Sequence, residues 1–234
     1  MLVHGYLGGQ FMWKFQEPLQ EHFDLIMPSL AGYGESATLA APDSIPGNVE
    51  DICALLDALD IEKVDLLGHS MGGMIVQEMA ANRPERVNRL ICLGTGSMGV
   101  LPNRLEPIAE SRRKIIEIGL DHAREQIART WFVNPDDEEG LAICLSEGGK
   151  ATTQAALASL DAWEKWDGRS QLPRISAPTL VIWARGDRSY DWNQQQLFLD
   201  GIPDVRIEVV DDCAHNVHME KPKLVNELIR AFLQ

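Results

Sequence analysis

The chain has 234 residues, 45% of them hydrophobic, enough for one large domain with a substantial core. Its 21 Lys and Arg stand against 35 Asp and Glu, a net charge of −14, which argues against nucleic acid and anionic membrane surfaces as partners. No apolar run approaches the roughly 20 residues needed to span a bilayer, and no basic segment followed by an apolar one marks a secretory signal. Cys53, Cys92, Cys144 and Cys213 are widely spaced without a C-x-x-C pair, so a reducing cytoplasm is expected.

In chain order, short apolar runs predict strands at Met1–His4, Asp24–Pro28, Lys63–Gly68, Arg89–Gly94, Thr179–Ala184 and Arg206–Val210. Helical spacing predicts helices over Gly9–Glu21, Gly47–Leu59, Ser70–Asn82, Trp192–Leu199 and Lys221–Leu233. Such alternation is the signature of an α/β fold, a mostly parallel sheet with helices on both faces. Between Gly94 and Thr179 the connection is far longer than the dozen or so residues of a simple crossover. Helix formers dominate Leu105–Ile118, Asp121–Phe132 and Lys150–Trp166, and the acidic run from Asn134 to Gly140 reads as a solvated turn leading into a helix. The expected organisation is a core of residues 1–96 and 173–234, with a helical cap over 97–172.

Chemistry concentrates at Gly68-His69-Ser70-Met71-Gly72, which joins a predicted strand to a predicted helix. Glycines flanking a serine at that junction permit a sharp turn that exposes the hydroxyl, and the helix start behind it offers free N–H groups to an oxyanion. A serine nucleophile needs a base, and the base needs an orienting group. In a parallel sheet these collect at the carboxyl ends of strands. That criterion selects His215, after the last strand, over His218, and Asp187, after Thr179–Ala184, over Asp191. His4 ends the first strand, and His69 is too constrained within the turn to reach the serine. His215 and His218 lack a third ligand, so no metal and no cofactor is expected. Met71 N–H and Tyr6 N–H, the latter from the loop His4-Gly5-Tyr6-Leu7-Gly8-Gly9, are the expected oxyanion donors.

These segments resemble the α/β-hydrolase superfamily over nearly the whole chain: Val3-His4-Gly5, Gly32-Tyr33-Gly34-Glu35-Ser36, the turn at Ser70, Trp183 through Arg188, and Ala214-His215 with Glu220-Lys221-Pro222. The resemblance implies a triad of Ser70, Asp187 and His215, with the cap inserted after the sixth family strand. The turn at Ser70 looks most like that of enol-lactonases and small carboxylesterases. Family members usually carry Gly where Ala214 stands, and an antiparallel hairpin before the first strand seen here. Its absence would leave Asp24–Pro28 as a sheet edge, unless the chain is shortened or another surface covers that edge.

The expected activity is hydrolysis of a small-molecule ester, thioester or lactone through an acyl-enzyme. Serine rules against the aspartate-nucleophile and cysteine-nucleophile branches of the family. A C–C bond hydrolase is the alternative, although the loop after His4-Gly5 reads Tyr6-Leu7-Gly8-Gly9 rather than that group's Gly-Pro-Gly. A ligand receptor with little turnover is another. Trp131, Trp163 and Trp166 are candidates to line a substrate pocket, and a monomer or homodimer is expected.

Overall fold

The computed structural model describes residues 1–101, 106–137 and 139–234. Leu105, the expected start of the first cap helix, and Glu138, within the acidic run, lie outside the described residues. Among the described residues one parallel sheet runs β1 (Leu2–Val3), β2 (Val64–His69), β3 (Val87–Leu93), β4 (Thr179–Ala184) and β5 (Val205–Val210), in that spatial order. Its register pairs Leu67 with Ile91, Cys92 with Val181, and Val181 with Ile207. Every residue of β4 is buried, as a continuous apolar run in a sheet covered on both faces requires.

Side chains of a strand alternate between faces, and two apolar clusters follow from that alternation. Val181 packs with α1 (Ile45–Ala58), α2 (Met71–Asn82) and α7 (Trp192–Gly201), through Leu56, Ile75 and Phe198. Leu180 and Ile182 face a 3-10 helix (Gln10–Glu21) and the C-terminal helix, through Trp13, Leu19, Val225 and Ile229. Burying a side chain such as Ile182 or Leu56 contributes about 2 kcal/mol. The first helix starts before the expected Gly47 because Ser44 caps it, its Oγ accepting Gly47 N–H at 3.2 Å with a proline in the first turn.

Two expectations are corrected. Asp24–Pro28 is not a strand: its tie to β1 is one hydrogen bond, Leu2 N–H to Ile26 O at 2.8 Å. The neighbouring strand is only two residues long, and Pro28 has no N–H to extend a ladder. The segment Gly9–Glu21 is helical but adopts 3-10 rather than α geometry. Pro18 inside it lacks the donor for an i−4 bond and would crowd the carbonyl of Lys14.

The long connection folds as α3 (Ile108–Ile118), α4 (Leu120–Arg129), α5 (Glu139–Gly148) and α6 (Thr153–Lys165). Its neck is an antiparallel bridge between Met98 and Asp167, closed by Gly99 N–H to Trp166 O at 3.0 Å and Gly168 N–H to Ser97 O at 2.9 Å. Beneath the neck, the buried Glu78 carboxylate of α2 accepts from Trp166 Nε1 and Gln171 Nε2, both at 2.9 Å. The insertion is therefore tied to the helix that follows Ser70. After β5 come α8 (Val217–Glu220) and α9 (Pro222–Leu233). All four cysteines are buried free thiols, and no described helix is long and apolar enough to cross a membrane.

Candidate active site

Ser70 lies between the last residue of β2 and the first of α2, with φ +55° and ψ −118°. A non-glycine residue in that region costs about 1–3 kcal/mol and persists only where its surroundings hold it. The surroundings do so here: Ser70 N–H donates to Leu93 O at 3.1 Å, and Ser70 O accepts from Thr95 Oγ1 at 2.7 Å and Gly73 N–H at 2.9 Å. A Cβ on Gly72 would stand 2.2 Å from Val3 O, so only glycine lets α2 start this close to β1.

His215 follows β5 by five residues and Asp187 follows β4 by three, so both sit at the carboxyl end of the sheet with Ser70. His215 Nδ1–H donates to Asp187 Oδ2 at 3.0 Å, with both side chains almost fully buried. The other carboxylate oxygen, Oδ1, accepts Ser189 N–H at 2.7 Å and Tyr190 N–H at 3.3 Å. Asp187 is thus held through both carboxylate oxygens. Asp191, the competing carboxylate, caps α7 instead, Oδ1 accepting Gln194 N–H at 3.2 Å.

Ser70 and His215 share the walls of one small chamber of about 20 Å³ with Tyr6, Trp131, Trp163 and Tyr190. Trp166 is not among its walls, because its indole N–H is engaged by Glu78 at the neck. Met71 opens α2, where a backbone N–H has no intrahelical acceptor. Gly5 passes so close that a Cβ there would lie 2.9 Å from Ser70 Cβ, which brings the following Tyr6 peptide beside the serine.

Several residues that position this group had no strong sequence signal. His4 Nε2 accepts Leu30 N–H at 3.0 Å, so its proton is on Nδ1, which donates to Gly5 O at 2.8 Å. Gly8 N–H also reaches that carbonyl, at 3.2 Å. In a trans peptide the carbonyl and the next N–H point oppositely, so fixing Gly5 O fixes the direction of Tyr6 N–H. Glu147 of α5, itself buried, accepts Phe11 N–H at 3.2 Å and so ties the insertion to the helix that follows this loop. Glu220 accepts Ala214 N–H at 2.6 Å and Val133 N–H at 2.9 Å, joining the His215 turn to the insertion. The pattern Glu220-Lys221-Pro222 marked this residue in the sequence without revealing either bond.

Behind His215 lies a buried imidazole cluster. His69 Nε2–H donates to His215 O at 3.1 Å, and His218 packs 4.6 Å from the His69 ring and 5.0 Å from Trp13. His218 is therefore a core residue and does not meet the carboxylate. Burial drives the pKa of His4 down to about 4 and, with His215 nearby, that of His218 down to about 3; burial also holds His69 well below the usual value. Unfolded histidines titrate near 6.5, so between pH 6.5 and 4 the unfolded chain binds protons that the folded one refuses. Stability is then complete above about pH 6.5 and falls as pH drops, by about 2 kcal/mol each for His4 and His218 at pH 5. Thermal melts from pH 7 to 5 are expected to show a falling midpoint, with a shallower slope in His218→Phe. Equal slopes in the two proteins would refute the assignment for His218.

The model of the alpha/beta hydrolase family matches residues 1–228. A putative carbamate hydrolase RutD of Azorhizobium caulinodans is 30% identical over 99% of this chain and 89% of its own length. A 2-hydroxy-6-oxononadienedioate/2-hydroxy-6-oxononatrienedioate hydrolase of Cupriavidus pinatubonensis is 29% identical, over 100% of this chain and 86% of its own. Among solved structures, a thermophilic esterase from Thermogutta terrifontis superimposes with a TM-score of 0.88 at 26% identity, covering 99% of this chain and 88% of that one. The parallel sheet, the strained serine turn and the match along nearly the whole length agree: the chain belongs to the alpha/beta hydrolase family.

Proposed function

We propose that this hydrolase cleaves a small-molecule ester, thioester or lactone through an acyl-enzyme on Ser70. The observation that carries the reading is the strained serine sharing a chamber with His215, whose far nitrogen is held by the buried Asp187 carboxylate. In this reading His215 Nε2 takes the proton as Ser70 Oγ attacks the carbonyl. The N–H groups of Tyr6 and Met71 receive the negative charge of the tetrahedral oxygen. His215, now an imidazolium stabilised by Asp187, returns the proton to the leaving oxygen, or sulfur in a thioester. Water, deprotonated by the same imidazole, then attacks the acyl carbon; the imidazolium returns that proton to Ser70 Oγ as its bond to the acyl carbon breaks, and the carboxylic acid is released. The helical insertion acts as the cap that encloses the reacting groups, Trp131 and Trp163 forming its inner surface. The solved esterase of similar fold supports the choice of an ester, and the carbamate hydrolase relative supports acyl transfer more broadly.

A fluorophosphonate, which traps nucleophilic serines, is expected to add once per chain, with the adduct on the peptide containing Ser70. Labelling elsewhere, or none, would sink the proposal.

A further inference from the structure

Next to the chamber around Ser70 lies a second, larger one of about 220 Å³, and the two share Ile127, Trp131 and Ser189 as walls. His215 itself lines only the smaller chamber, and the larger one opens beyond its neighbours Trp131 and Ser189. The Trp131 ring is 6.1 Å from the His215 ring, Trp131 O accepts Asn216 N–H at 3.0 Å, and Ser189 N–H is bonded to Asp187. Tyr6 and Trp163, packed on each other with ring centroids 5.3 Å apart, also line only the smaller chamber and are not walls of the larger one. In acyl transfer the carbonyl oxygen stays with the oxyanion donors, while the leaving oxygen must meet the proton held by the imidazole. The Tyr6–Trp163 end of the smaller chamber is therefore the acyl side, and the larger chamber, reached past the neighbours of the imidazole, the alcohol side.

The chemistry of the larger chamber narrows the alcohol. Among the described residues its two charged walls, Glu106 and Lys114, form an ion pair with each other, and Ser111 Oγ donates to Glu106 Oε1 at 2.7 Å. Their charges cancel, and both side chains are only about a quarter exposed or less (22% and 24%). A charged ligand gains no net attraction there and has to disrupt a half-buried pair, which is costly. Hydrogen-bonding capacity nevertheless remains. An ammonium has three donors, and the Ser111 and Thr130 hydroxyls, whose protons go to Glu106 and to Ile127 O (2.7 Å), keep lone pairs that accept. Donors and acceptors side by side, without net charge, complement neutral hydroxyl groups.

We propose that the substrate is a short-chain acyl ester of a neutral, hydroxyl-rich alcohol, the acyl group seated against Tyr6 and Trp163 and the alcohol against Lys114, Ser111 and Thr130. The assignment rests on the serine-hydrolase reading above. It is tested with matched esters: 2,3-dihydroxypropyl acetate, butyl acetate, 3-acetoxypropanoate and 2,3-dihydroxypropyl octanoate, with 4-nitrophenyl acetate as a general reporter.

One or two added hydrogen bonds at about 1 kcal/mol each correspond to about tenfold in kcat/KM, the expected preference for dihydroxypropyl acetate over butyl acetate and over the carboxylate. The octanoate is expected to fall by about a hundredfold, since its chain overfills the acyl side. In Lys114→Met the preference for the diol over butyl acetate is expected to shrink, a ratio that a global loss of activity does not alter. Turnover of 4-nitrophenyl acetate with no diol preference, or with a preference for the octanoate, overturns the chamber assignment alone. No turnover of any ester, together with no fluorophosphonate adduct on Ser70, overturns the serine-hydrolase reading and this one with it.

Discussion

Ser70→Ala is expected to lower kcat for 4-nitrophenyl acetate by about 10⁴-fold or more, while leaving the thermal midpoint nearly unchanged. The two halves of that result have separate causes. In the proposed mechanism the acyl group forms on Oγ, so without that atom turnover falls to what binding and the oxyanion donors give alone. The fold is untouched because what holds position 70 is its backbone, through Leu93 O, Gly73 N–H and the Thr95 hydroxyl. Alanine at φ +55° carries the same strain as serine, so no relief compensates. Glycine does relieve it: Ser70→Gly is expected to be equally inactive yet more stable by about 1 kcal/mol. Measuring kcat and melting curves on both variants checks the nucleophile and the strain together. Retention of more than about a tenth of wild-type kcat in either variant would remove Ser70 from the mechanism.

What was legible in the sequence was legible for local reasons. The strand-turn-helix around Ser70 is written in a few adjacent residues: an apolar run, paired glycines and a proline-free helical period. Asp187 and His215, which the structure brings into hydrogen-bond contact, could be singled out because a strand end is a place that the sequence marks, even when the partners lie far apart along the chain. The parallel sheet followed from alternation of strand and helix, and β4 was placed to the residue because a fully buried run has sharp ends.

Elements that depend on distant partners were not legible. The run at Asp24–Pro28 has strand composition, but its neighbour is too short to give it a ladder. Trp166 has the same composition as Trp131 and Trp163; only the Glu78 carboxylate on another helix decides that it serves the neck rather than the chamber. His4 and Glu147 look like an ordinary strand end and an ordinary helix surface. Their work on the loop at Tyr6 depends on Leu30 and Phe11, contacts that no local pattern encodes.

The acid provides the sharpest remaining test, because two aspartates four residues apart are held in opposite ways. In Asp187→Asn the side-chain amide has one oxygen for two demands. The Oδ1 position faces the N–H groups of Ser189 and Tyr190 at 2.7 and 3.3 Å, where an NH₂ group would meet two donors. The amide oxygen therefore stays there, and the NH₂ faces His215 Nδ1. A donor at that place forces Nδ1 to accept, which moves the imidazole proton to Nε2, the atom that has to take the proton of Ser70. The base is then blocked while the geometry survives, and kcat is expected to fall by about 10⁴-fold. In Asp191→Asn the same change is harmless, since asparagine caps a helix as well as aspartate does. That variant is expected to keep kcat within about twofold and its folding stability within about 0.5 kcal/mol of the parent. Steady-state kinetics on the pair decides the matter: comparable losses at both positions would dissolve the distinction between an orienting carboxylate and a cap.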